Sequence, residues 1–383
     1  MRGPRAVGGR GGPALLLGLA AGGCSQDRQP WAFTTVRPEA AEDTAPEGPM
    51  WREPLRGPHR PNLVRFVAIG DAGEGNADQY AVAAAIAEVC AGLTAPEAPG
   101  CDFVLYLGDN FYQVGVEGID DPQFQSKFEA PYAALDLPFY PVLGNHDYGT
   151  GSLEAEKADA QIGYTRRSTK WTLPARHYHF TAAHAHFLAL DTNAAMLVDV
   201  WGDRSQEQTI REGLAAAAAE GAVWRVAYGH HPYKSNGPHG NAGAYEGQDW
   251  APVVNGAGVQ ALVEEQLCGA VDLYLAGHDH SRQWLAPSCG IALAVSGAGA
   301  KTTGFVDRGH PSSFAASTPG FVWVELDGAR LTARFYDREG VEEHVEVVEK
   351  AGGCGGGERA PDQRGRSGPT ADQSRPDSRG RGR

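Results

Sequence analysis

Five times between Leu63 and His280 the chain runs through a short apolar stretch and halts at a glycine followed by polar residues: "GDAG", "GDNFY", "GNHD", "GHHP" and "GHDH". The runs that lead into them, "LVRFVAIGD", "CDFVLYLGDN", "PFYPVLGNHD", "VWRVAYGHHP" and "VDLYLAGHDH", have strand length and read as buried strands. Between them lie stretches of helical spacing: "NADQYAVAAAIAEVC", which Asn76 can cap, "QEQTIREGLAAAAAEG" and "GVQALVEEQLC". Two hairpins are interspersed, "HYHFTAAHAHFLALD" and "FVWVELDGARLTARFYD", the second with an Asp-Gly turn. Strands and helices in alternation, with added antiparallel pieces, predict an α/β domain with a two-sheet β-sandwich core flanked by helices.

In such a domain the loops at the carboxyl ends of the strands converge, and ligands gather there. Each glycine lets the backbone turn sharply and approach closely. Asp71, Asp109, Asn145, His230, His278 and His280 then supply oxygen and imidazole donors. A single "GD" or "GH" is an ordinary turn. Five in order, each after a strand, point to one metal site.

With these motifs the stretch from Leu63 to Val348 resembles the metallophosphoesterases, and among them the small, tartrate-resistant type of purple acid phosphatase. Most metallophosphoesterases open with Asp-x-His, whereas this chain has Asp71-Ala72-Gly73. The purple acid phosphatases also lack that histidine and use a tyrosine three residues after the second aspartate, which here is Tyr112. The resemblance implies a calcineurin-like fold. It also implies a first metal held by Asp71, Asp109, Tyr112 and His280, with Asp109 bridging to a second held by Asn145, His230 and His278. Anionic oxygens including a phenolate suit Fe(III); an amide oxygen with two imidazoles suits a divalent Fe, Zn or Mn. Such a pair clamps a phosphoryl group and activates hydroxide as the nucleophile. His146 is the implied acid for the leaving alkoxide, and His239 in "GPHGNAG" resembles a second histidine outside the metal shell. Asp147 either orients His146 or forms the strand-end turn. His231 stands where the mammalian-type enzymes tend to have tyrosine and reads as a support for the metal ligands, with contact to substrate or competition as a ligand as the alternatives.

The chain of 383 residues, 42% hydrophobic, is long enough for one large domain or two modest ones. Its formal net charge of -14 argues against nucleic-acid or anionic-membrane binding by charge attraction, so a small phosphorylated substrate needs a local positive centre. Residues 1–24 have the layout of an export signal, basic at Arg2, Arg5 and Arg10, then apolar, then small. "LAAGGC" resembles a degenerate lipoprotein signal, which would place a lipid anchor on Cys24; a Gly/Arg-rich leader of a cytoplasmic protein is the competing reading. "ALLLGLAAGG" is about half the length a bilayer crossing requires. Residues 25–62 read as a linker, 63–350 as the catalytic domain, and 351–383 as a Gly/Arg-rich tail too polar to order.

Cys90 with Cys101 and Cys268 with Cys289 each flank a short connection, which predicts two local disulfides in an oxidising compartment; four free thiols in a cytosolic chain is the alternative. The leader and the cysteines together predict export, and the protein is expected to be a monomer. His177 and His179, facing His184 and His186 across the first hairpin, form a candidate second metal cluster, weighed against a structural role in a Trp-x-x-Pro…Tyr-x-Phe stretch that starts at Trp171. His59, His310 and His344 read as surface residues. "SGAGAKTT" lacks Walker spacing and reads as a tight turn, although Lys301, like Lys234, is a candidate to face an anionic substrate.

The function implied is hydrolysis of phosphomonoesters by an acid phosphatase. Two alternatives stand beside it: a phosphodiesterase or nucleotide hydrolase on the same centre, and a surface binding protein that keeps the metal cage without turnover.

Overall fold

A computed structural model describes residues 51–350 apart from 56–58, 249, 252–253 and 307. The leader, Cys24 and the tail lie outside the described residues. Thirteen strands are described: β1 (Leu63–Ile69), β2 (Phe103–Tyr106), β3 (Phe139–Pro141), β4 (Tyr178–Ala182), β5 (Ala185–Ala189), β6 (Trp224–Tyr228), β7 (Leu273–Ala276), β8 (Arg282–Ser288), β9 (Ile291–Ser296), β10 (Ser312–Ala316), β11 (Gly320–Asp327), β12 (Arg330–Asp337) and β13 (Glu342–Glu349). They form two mixed sheets, ordered β13-β12-β11-β1-β2-β3 and β10-β8-β9-β7-β6-β5-β4. β1, β2 and β3 run parallel in the first sheet; β5, β6, β7 and β9 run parallel in the second.

Apolar strands meet across an aromatic seam. Phe66 and Phe103 of the first sheet pack edge-on against Phe187 of the second, with ring centroids 5.4 and 5.3 Å apart, and Tyr140 stacks on Phe180 at 4.5 Å. Rings of this size bury most of their area only when the two sheets are held face to face. The seam therefore fixes both sheets in one frame. Trp51, in the stretch read as linker, joins the same cluster 5.3 Å from Tyr140.

The expected helices form outside this core. Asn76 caps Ala77–Gly92 by accepting from the Gln79 amide at 3.0 Å, which satisfies a backbone donor that the helix start leaves free. Ser205–Ala219 is the second expected helix; Ala257–Leu262 continues into a wider turn over Val263–Leu267. Both disulfides pair as expected, Cys90 with Cys101 and Cys268 with Cys289. Among the described residues no helix is long and apolar enough to cross a membrane.

The hairpin histidines do not form a metal cluster. β4 begins at Tyr178, so His177 precedes the ladder and its ring turns to Thr209 and Ser205 on the neighbouring helix, at 3.0 and 3.2 Å. His184 falls before β5, while His179 and His186 stand with ring centroids 5.2 Å apart. Among the described residues none of the four belongs to a group of three donors near enough to hold an ion. The strand side chains here are structural, and Tyr178 donates to the Pro141 carbonyl at 2.8 Å.

Burial, helped by His179, pushes the His186 imidazole down to about 4. The unfolded chain binds that proton near 6.5. Between those values the unfolded state takes up more protons, so stability is full above pH 6.5 and falls as pH drops through 4. Urea unfolding of His186→Gln against the parent should show a shallower loss over that window, by on the order of 1–3 kcal/mol; parallel curves would show that this ring does not titrate on unfolding.

Candidate metal centre

The clusters after β1, β2 and β3 meet those after β6 and β7, so both sheets contribute to one place. Backbone bonds knit the loops together: the Asp71 amide donates to the Gly108 carbonyl at 3.0 Å, and the Gly277 amide to the His230 carbonyl at 2.9 Å. Asp71, Asp109 and His278 have φ of 56, 51 and 69°. Three non-glycine residues in the left-handed region at one spot represent stored strain, which persists only where the surroundings over-determine it.

Side chains from these loops aim their donor atoms at one another. The Tyr112 hydroxyl donates to Asp71 Oδ1 at 2.9 Å and lies 3.3 Å from His280 Nε2, which is 3.5 Å from the same carboxylate oxygen. Alongside, His230 Nε2 lies 3.1 Å from Asn145 Oδ1, 3.2 Å from His278 Nδ1 and 3.4 Å from Asp109 Oδ1. Asp71, Asp109 and His230 bring donor atoms within 4.8 Å of one another. All seven ligand candidates are thus brought together.

The donor set fits a pair of cations. His230 gives its Nδ1 proton to the Leu107 carbonyl at 2.9 Å, leaving the Nε2 lone pair for the cluster. His280 is buried with Nδ1 unpartnered, and its Nε2 faces Asp71 and Tyr112. Burial first, and then the Asp109 charge, raise the Asp71 carboxyl well above the usual carboxylate range. Burial acts on Asp109 in the same direction, but the attraction of the His230 and His146 rings, joined by hydrogen bonds from the His146 amide and the Tyr112 hydroxyl, outweighs it and holds that carboxyl low. Burial and both carboxylates push the Tyr112 phenol well up. Lone pairs crowded in this way repel, and a bound cation would relieve that repulsion and favour the anionic form of all three groups.

Three more histidines flank the cluster; of these, His231 with His230 and His278, and His239 with Glu246 and His278, bring donor atoms within 4.8 Å of one another. The ring of His146 lies 4.6 Å from that of Tyr112, and its Nδ1 meets the Gln113 carbonyl at 2.5 Å. Asp147 does not orient it. That buried carboxylate instead accepts from the amides of Gly144, Asn110 and Phe111 at 2.8–3.1 Å and from Gln161 at 3.0 Å, so of its two readings the turn-forming one holds. His239 lies 4.9 and 5.1 Å from the rings of His278 and His280. Its Nδ1 meets Glu246 Oε1 at 2.6 Å, a bond that raises its pKa against the effect of burial. His231 is buried, with Nδ1 2.8 Å from the Thr192 hydroxyl and its ring 4.4 Å from His278.

Glu246 escaped sequence reasoning because "AYEGQD" has no strand before it and no spacing that ties it to a histidine. Asp279 was likewise hidden between two ligand candidates; its Oδ1 accepts from the His239 amide at 2.8 Å and so holds that loop. A signal was present only in part, as the alternation "GHDH" marks three polar residues without saying which way each points.

Gly277 has a steric reason to be glycine: a Cβ there would lie 2.5 Å from Asp71 Oδ2. Gly277→Ala should fold yet lose metal affinity roughly 10–100-fold, the cost of disturbing a ligand's support. Elemental analysis after dialysis, with the chelator-induced fall in Tm of the parent as reference, checks this.

The family model described as calcineurin-like phosphoesterase matches residues 64–282, more than half of the chain. The chain is 28% identical over 317 residues to human tartrate-resistant acid phosphatase type 5, covering 72% of this chain and 88% of that protein. It is 30% identical over 313 residues to purple acid phosphatase 4 of Arabidopsis thaliana, covering 74% and 83%. Among solved structures it shares the fold of the purple acid phosphatase PPD1 from yellow lupin, with TM-score 0.58 and 17% identity over 77% of this chain and 55% of that one. With motif order, two-sheet architecture and sequence in agreement, the chain belongs to the calcineurin-like phosphoesterase family.

Proposed function

We propose that this phosphoesterase is an exported acid phosphatase that hydrolyses small phosphomonoesters at a binuclear Fe(III)-M(II) centre. The observation that carries the reading is the Tyr112 hydroxyl, 2.9 Å from Asp71 and 3.3 Å from His280, in a chain whose first motif, Asp71-Ala72-Gly73, lacks the histidine of Asp-x-His. The names of the relatives support it. Asp71, Asp109, Tyr112 and His280 would hold the ferric ion, and Asn145, His230 and His278 the divalent one, with Asp109 between them. When bound, the pair supplies the charge that clamps the phosphoryl group and lowers the pKa of water.

The chain's own residues then orient and protonate. His146 is held at Nδ1 by the Gln113 carbonyl, which leaves Nε2 to give a proton to the departing alkoxide. Glu246 keeps a proton on His239 through Nδ1, so that a second imidazolium can hold the substrate's anionic oxygens. Asn145, Gly151, Ser152, Asn193, Met196 and Val254 help line a cavity of about 160 Å³ that opens beside His278. The disulfides suit the oxidising compartment that export implies.

Aerobically prepared protein should be purple and lose that colour in Tyr112→Phe, because only a phenolate on Fe(III) gives the charge-transfer band. It should turn over 4-nitrophenyl phosphate in preference to bis(4-nitrophenyl) phosphate. A colourless protein full of zinc or manganese, with diester turnover ahead, would replace the monoesterase reading. His146→Ala should lower kcat on alkyl phosphates by about 10²–10⁴, and less on aryl phosphates whose leaving group needs no proton. Equal kcat in parent and variant on alkyl phosphates would remove His146 as the acid.

A further inference from the structure

We propose that Lys301 is a positioning residue that acts through the face of the Tyr112 ring, stabilising its phenolate and so tuning the ferric ion. The proposal rests on the iron reading above. Lys301 Nζ lies 3.6 Å from the centroid of the Tyr112 ring and 2.9 Å from Glu74 Oε1, with 28% of the side chain exposed. Both contacts occupy the ammonium, so it faces the Tyr112 ring and Glu74.

The loop that carries Lys301 is built onto the ligand loops. After β9 the Gly299 amide donates to the Gly70 carbonyl at 3.1 Å, directly before Asp71. A Cβ at Gly299 would lie 2.6 Å from the Ala72 Cβ and 2.7 Å from the Gly70 carbonyl oxygen, so the two loops cross at a distance that glycine alone permits. Asn76 Nδ2 donates to the Ala300 carbonyl at 2.8 Å, and the Thr303 amide to the His280 carbonyl at 2.9 Å. Lys301 is thus tied on both sides to segments that bear Asp71 and His280, and Glu74 holds its far end. "SGAGAKTT" serves as a tight turn, but one with a cation placed at a chosen ring.

A cation over an aromatic face is attracted by the π electrons, and the attraction grows when the ring becomes a phenolate. It lowers the energy of the electrons that a phenolate shares with a ferric ion. Two consequences follow: the charge-transfer band lies at shorter wavelength than it would without the ammonium, and Fe(III) is favoured less over Fe(II). Charge and polarity next to a ligand are recognised levers on an iron centre's potential.

The test compares the full chain with Lys301→Met and Lys301→Arg, measuring iron content, visible spectrum, Fe(III)/Fe(II) potential and inhibition by inorganic phosphate. At equal iron content, Lys301→Met should shift the band to longer wavelength and lower the potential, and Lys301→Arg should restore both because it keeps the charge. Phosphate inhibition should stay unchanged. A purple Lys301→Met protein with the parent's band and potential overturns the proposal, and if phosphate inhibition alone weakens, Lys301 contacts substrate instead. A parent that binds no Fe(III) overturns the iron reading together with this one, an outcome distinct from an unmoved band.

Discussion

Two carboxylates held side by side out of water set the terms for everything around them. Asp71 and Asp109 are both buried at the carboxyl ends of adjacent parallel strands, where neither can be hydrated and each opposes the other's charge. Backbone donors hold them: the His278 amide at 2.8 Å on Asp71 and the His146 amide at 3.0 Å on Asp109. Each donor belongs to a different loop cluster, so placing one candidate ligand fixes the approach of the next. The left-handed backbone at Asp71, Asp109 and His278 is the strain that this mutual dependence sustains.

Stiffness reaches the site from two directions. The aromatic seam between the sheets keeps β1 and β2 against β5, and the Asp147 carboxylate gathers the amides of the loops after β2 and β3 into one hub. A hub of backbone bonds needs no side-chain entropy to be lost at the reactive end, so His146 is placed from behind while its Nε2 stays available. His239 is placed by another means, a Gly-rich loop anchored by Asp279 and a carboxylate partner in Glu246. His146 and His239 therefore differ in what holds Nδ1, a neutral carbonyl in one and a charged carboxylate in the other, and the carboxylate favours the protonated ring.

Much of this was legible in order along the chain. The period and length of the apolar runs marked the strands, Asn76 marked a helix start, and the cysteine spacings matched the bridges that form. The donor types were written in the polar residues that follow the glycine at the end of each strand. Illegible were contacts whose partners lie far apart in sequence with no periodic relation. Glu246 meets His239 only because a loop folds back on itself, and Lys301 meets Tyr112 across 189 residues because two loops cross at Gly299. The hairpin histidines show the reverse error: alternation placed them on shared faces, but a strand that starts one residue later sends His177 to a helix.

By itself the sequence determined which residues offer donor atoms, and that a two-sheet α/β fold would carry them, because side-chain chemistry and local hydrophobic period are written position by position. Only the tertiary structure decided which way those residues face. It made Asp147 an anchor, left His146 on a carbonyl, gave His239 a carboxylate and put Lys301 over the ring of Tyr112. The reason is physical: direction and distance between loops are set by how two sheets pack through their cores, a property of all the buried side chains together and of no local stretch.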